Sequence, residues 1–147
     1  MPLPTLKTKR FTHEHGLRIT VQVPEPSAQN IIDHLCKITS LKYGDYDSVT
    51  FKTAGGIQRF RSLGSGRNAA TTDAVEVLCI ELSFFLENDA ALAAQVIEEV
   101  YCTHPYEEPV IFVENCLRTL HFRGMDEGNP NRFWNAAPAD WVPEEHR

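Results

Sequence analysis

An α+β sandwich, a four-stranded antiparallel sheet with two helices on one face, is the fold class that this 147-residue sequence predicts. Three observations lead there. Four segments carry the apolar patterning of strands, two carry helical spacing, and they follow one another in the order β-α-β-β-α-β. Two helices that must each bury one apolar stripe are accommodated most economically on a single sheet face.

The elements follow in turn. After a basic lead-in over residues 1–16, Leu17, Ile19, Val21 and Val23 alternate with Arg18, Thr20 and Gln22, the period-2 pattern of a strand with one buried face. Pro24 and Pro26 stop it. Ser27 then offers a cap for a helix in which Ile31, Ile32, Leu35, Ile38 and Leu41 recur at helical spacing down to the breaker Gly44. Tyr46 to Thr53 carries Val49 and Phe51 on one side, a second strand that runs out at Gly55-Gly56 and resumes through Ile57 to Leu63. Residues Gly64 to Asp73 hold almost no apolar side chain and read as a long loop. Ala74 to Leu86 is the strongest strand, apolar enough for a central position covered on both faces, with Glu81 the exception. Asn88 or Asp89 caps a second helix striped by Leu92, Val96, Ile97 and Val100. His104 ends that helix, because Pro105 disfavours helical dihedrals at the residue before it. Val110 to Leu117 supplies the last strand. The arrangement is ferredoxin-like and covers residues 17–122. The tail, 123–147, turns to Gly, Asn, Pro and Glu, yet its Phe133, Trp134 and Trp141 call for a docking surface.

Composition narrows the function. Twenty acidic side chains against fourteen Lys plus Arg give a net charge of −6, which repels nucleic-acid phosphates and anionic lipid. The first sixteen residues lack an apolar core and no stretch is long enough to span a bilayer, so a cytoplasmic location is expected, without a nucleic-acid or membrane partner. Cys36, Cys79, Cys102 and Cys116 fall singly, with no Cys-x-x-Cys pair, and read as reduced packing thiols. There is no Gly-x-Ser-x-Gly elbow and no cysteine beside a recognisable base, so no catalytic residue is assigned. The sheet face opposite the helices, with Val75 and Val77, needs a cover; a second subunit supplies it, and a homo-oligomer is expected.

The segment Thr103-His104-Pro105-Tyr106-Glu107-Glu108-Pro109 concentrates an imidazole, a phenol and two carboxylates at a helix-to-strand corner. His104, Glu107 and Glu108 are competent ligands for a divalent metal. In an extended segment, however, the two glutamates point to opposite faces, and His104 lies about 10 Å from Glu107 at ~3.3 Å per residue. One ion would have to collect them across a subunit interface. The competing reading has His104 bonded to carbonyls at the helix end, Tyr106 packed, and one glutamate paired with an arginine. Gly64-Ser65-Gly66-Arg67-Asn68, with Arg59 and Arg61 upstream, holds the ingredients of an anion nest but lacks a following helix. His13 and His15 share one side of an extended segment without a third ligand.

These motifs, with the element order, resemble the small CutA-like and PII-like domain found inserted in, or standing apart from, the NIF-three-like proteins, over roughly residues 17–114. The resemblance rests on His104 to Pro109, on Tyr43-Gly44-Asp45-Tyr46-Asp47, on Gly56, Phe60 and Arg61, and on Glu76 with Glu81. It implies an oligomeric ferredoxin-like subunit acting as a binding or regulatory module, with ligand contacts from His104, Tyr106, Glu107, Glu108, Asp45, Asp47, Arg59, Arg61 and Arg67 at a subunit cleft. The metal-binding core of the NIF-three-like proteins has no counterpart here, so their dimetal site and hydrolase activity do not carry over.

Overall fold

The computed structural model describes residues 2–147. Its elements are β1 (Phe11–Val23), α1 (Glu25–Ile38), β2 (Phe51–Lys52), β3 (Gly56–Phe60), β4 (Val75–Glu87), α2 (Ala90–Thr103) and β5 (Val110–His121), followed by two short 3-10 turns. The sheet runs in the order β2-β4-β1-β5, with β3 also pairing β4. This is the expected α+β, ferredoxin-like sandwich, with the second strand in two pieces.

The break has a countable cause. Lys52 faces Leu82 and Gly56 faces Cys79, so Thr53, Ala54 and Gly55 lie opposite only Glu81 and Ile80. One extra residue makes a bulge. Thr53 keeps the ladder closed, its N–H donating to the Glu81 carbonyl at 2.9 Å while its Oγ1 accepts from the Glu81 N–H at 2.9 Å.

Local chemistry moved both ends of α1, which stops at Ile38 with Thr39 as C-cap and does not run on through Leu41 to Gly44. Ser27 sits inside the first turn of α1 instead of capping it, because Pro24 takes the cap position and its carbonyl accepts from the Ser27 N–H at 3.0 Å. Proline suits this place, where the first turn lacks N–H partners anyway. α2 begins as expected, with Asp89 Oδ1 accepting from the Leu92 N–H at 3.1 Å, and His104 is its C-cap. Between α1 and β2, Tyr43 and Tyr46 exchange backbone hydrogen bonds of 2.7 and 3.0 Å across a two-residue turn. Gly44, at φ 59°, supplies the positive dihedral that such a turn requires.

The chain divides into two compact units, Glu14–Arg118 and the N-terminal residues up to His13 with Thr119–Arg147. The larger unit holds the core: Ile19, Val21 and Val23 of β1, Ile80, Leu82, Phe84 and Leu86 of β4, Ala28, Ile31 and Leu35 of α1, and Ala93, Val96 and Val100 of α2. In the smaller unit the tail aromatics pack edge to face, Phe133 lying 5.3 Å from Trp134 and 6.2 Å from Trp141 between centroids. Asp126 accepts from Arg10 and Arg132 there, and these bonds, Arg10 first, hold its carboxyl down at about 2. No described helix is long and apolar enough to cross a membrane.

β4 is central but covered on one face only. β1 pairs with it from Glu87 to Ile80 and stops, so Val75–Cys79 pairs with β3 alone. The β3–β4 hairpin thus forms a two-stranded arm. Residues paired directly across strands share a face. Ile57 faces Leu78 on one side of the arm, 64% and 76% exposed, and Phe60 faces Val75 on the other, 42% and 46% exposed.

Candidate functional site

His104 is the only polar residue among the described residues in the buried class, at 7% exposure. Its Nδ1 accepts from the Tyr106 N–H at 3.0 Å, which leaves Nε2 to carry the proton and donate to the Gln22 carbonyl at 2.7 Å. The ring therefore staples the end of α2 to β1, and the Tyr106 ring packs on it at 4.8 Å. Both nitrogens are engaged, so a metal would have to break one of these bonds. Burial lowers the pKa of His104 below its ordinary 6.5, and the Gln22 bond opposes this only in part.

The sign of the pH effect follows. Above 6.5 the ring is neutral in folded and unfolded chains alike, and the full stability is present. On acidification the unfolded chain takes up the proton first, so stability is lost progressively as pH falls below about 6.5. Denaturant titrations between pH 7 and 5 should show this loss in the native chain and a shallower one in His104→Gln; parallel slopes would contradict the staple.

The carboxylate of Glu107 reaches back across the fold. Its two oxygens accept from the Arg67 N–H at 3.0 and 3.3 Å. Gly66 permits the approach, since a Cβ there would stand 2.5 Å from Glu107 Oε1. The loop is braced independently of this contact: Arg61 Nη1 donates to the Thr71 carbonyl at 3.1 Å, and Ser62 Oγ to the Asn68 carbonyl at 3.0 Å. The anion in the sequence-predicted nest is thus the protein's own. Arg59 faces Glu76 on the arm, and Glu108 is exposed.

Asp45 and Asp47 lie elsewhere. Arg118 Nη2 donates to the Lys42 carbonyl at 2.6 Å, and its Nε lies 2.5 Å from Glu14 on β1. The Tyr43–Asp47 turn is therefore near the Glu14 end of β1, whereas His104 is bonded at Gln22. At ~3.4 Å per residue these points are roughly 27 Å apart along the strand. Within one chain, the structure brings the corner to the loop of Arg61 and Arg67 and does not bring Asp45 or Asp47 to it. Among the described residues no group of three His, Cys, Asp or Glu side chains is placed to hold a metal ion.

Two features escaped the sequence. Arg118 stacks between the rings of Tyr43 and Phe85, 4.5 and 3.9 Å from their centroids. A polar chain crosses the open face, Gln58 Nε2 donating to Gln22 Oε1 at 3.1 Å and Gln22 Nε2 to Glu81 Oε2 at 3.3 Å. Nearby, burial and then the charge of Glu81 push the Cys79 thiol up, and burial and then Cys79 push the Tyr106 phenol up. Both stay protonated at neutral pH and are inert as nucleophiles.

A ferredoxin-like α+β fold is what this geometry defines, and comparison with solved structures gives the same fold. A Bacillus cereus protein related to NIF3 aligns with a TM-score of 0.58 at 23% identity, over 71% of this chain and 26% of that one. The chain thus spans about a quarter of that protein. The divalent ion tolerance protein CutA1 of Ehrlichia chaffeensis aligns at 0.52 with 10% identity, over 70% of this chain and 81% of that one. CutA1 of Oryza sativa aligns at 0.51 with 12% identity, over 74% and 84%. No protein-family model and no curated protein matches the chain.

Proposed function

We propose that this chain is the subunit of a homo-oligomeric, cytoplasmic binding or regulatory module without catalysis of its own, in which copies join through the β3–β4 arm and the open sheet face. The observation that carries the reading is the arm. A two-stranded ribbon is marginal in water, and this one exposes apolar side chains on both faces and an unpaired strand edge along Val75–Cys79. Phe51 at 65% and Phe112 at 50% exposure are further apolar side chains left in water. A second copy that adds a strand satisfies the edge and buries both faces at once. The ligand then meets the corner and the loop at the junction, where Tyr106, Glu107, Glu108, Arg61 and Arg67 are accessible or nearly so. The described site favours such a junction over a metal centre built on His104, Glu107 and Glu108, because two of those three side chains already have partners.

Hydrogen exchange tests the arm directly. Amides of Val75–Cys79 are expected to be protected in concentrated protein and to lose that protection on dilution. Fast exchange there at every concentration would contradict the reading.

A further inference from the structure

We infer that Glu107 is a built-in competitor for an oxyanion site: its carboxylate occupies the Gly66–Arg67 backbone seat, and a small phosphate- or carboxylate-bearing ligand binds by displacing it. The inference rests on the binding-module reading above and names the ligand class for it.

Three observations carry it. The seat already holds an anionic group, two carboxylate oxygens on one N–H. It is preformed, since Arg61–Thr71, Ser62–Asn68 and the Thr71 N–H to Ser62 carbonyl bond of 3.2 Å close the loop without help from Glu107. And it lies in a basic stretch of the chain: against a net charge of −6, residues 57–72 include Arg61, Arg67 and Arg59, the last opposite Glu76 on the arm, and no Asp or Glu. An incoming oxyanion therefore meets a formed seat and favourable charge, opposed mainly by the resident carboxylate. Both Glu107 and the loop are exposed, so exchange needs no opening of the core. Displacement frees the Tyr106–Pro109 segment from the loop, which would report occupancy to the subunit junction.

An internal competitor lowers apparent affinity by the fraction of time the seat is vacant. An exposed charge-assisted hydrogen bond of this kind corresponds to about a tenfold effect. The test is a pair of titrations, inorganic phosphate and acetate at constant ionic strength, followed through the Arg67 and Gly66 amide resonances of the full-length chain. Glu107→Gln and Glu107→Ala are expected to respond at about tenfold lower concentration than the native chain. A response to phosphate alone assigns a phosphate ligand, and a response to both assigns small oxyanions generally. Equal midpoints in all three proteins, or no movement of these resonances in any, overturn the inference. Oligomeric mass measured on the same samples separates the two readings. Assembled protein with equal midpoints overturns only the competitor, whereas single chains that still show the tenfold shift retain it and overturn the subunit reading.

Discussion

Arginine in place of Leu78 is expected to leave the chain folded and to reduce the proposed homo-oligomer to single chains. Leu78 is 76% exposed beside Ile57, beyond the reach of the helices that cover Ile80 and Leu82 on the same side of β4. Nothing within the subunit therefore resists the change, and the melting temperature of the isolated subunit should hardly move. In the assembly the same position loses the burial of a leucine, worth about 1.5–3 kcal/mol, and gains an unpaired charge in an apolar contact. Association should weaken by at least ~100-fold. Light scattering across a dilution series checks it; an unchanged mass with the arginine present would mean that the arm is not the joint.

Loss of Arg118 has the larger effect within the subunit. Its side chain is 17% exposed, and its guanidinium stacks on Tyr43 and Phe85, pairs with Glu14 and donates to the Lys42 carbonyl. Arg118→Ala removes the cation from both rings and leaves Glu14 and the loop carbonyl without their partner. About 3 kcal/mol of stability should go, from cation–π contact and a partly buried ion pair together. Arg118→Lys should recover less than half, because an ammonium reproduces neither the planar stacking nor the fork of donors. Urea unfolding measures both. A loss under ~1 kcal/mol would place Arg118 among ordinary surface arginines, whose ion pairs contribute little.

The parts of this fold legible in the sequence are those decided by near neighbours. Pro105 ends α2 at His104, Asp89 caps it, and alternation marks β1 and β4, because each rule acts within about four residues. Gly55-Gly56 signalled the interruption of the second strand, although the bulge itself depends on β4 opposite it. Even the His104 staple was half legible. A hydrogen bond to a carbonyl was expected at the helix end, but the acceptor is Gln22, which lies 82 residues away on β1.

What remained hidden is set by register and long-range approach. Arg118 has the alternating context of any solvated strand residue, and only the crossing of β1, β4 and the Tyr43 turn makes it a stacked cation. Glu107 meets Arg67 across 40 residues, and nothing in Glu107-Glu108 marks which of the two turns back to the loop. Leu78 patterned as core because a strand's periodicity does not say where the helices above it end. The apolar arm that carries the functional proposal is visible only once the pairing of β1 is seen to stop at Ile80.

The mass of the native protein under non-denaturing conditions, at concentrations from nanomolar to micromolar, tests the central claim most directly. A homo-oligomer at micromolar concentration, converted to single chains by Leu78→Arg, is the predicted result. A monodisperse monomer throughout would contradict the account, leaving the β3–β4 arm without the second copy on which the proposed function depends.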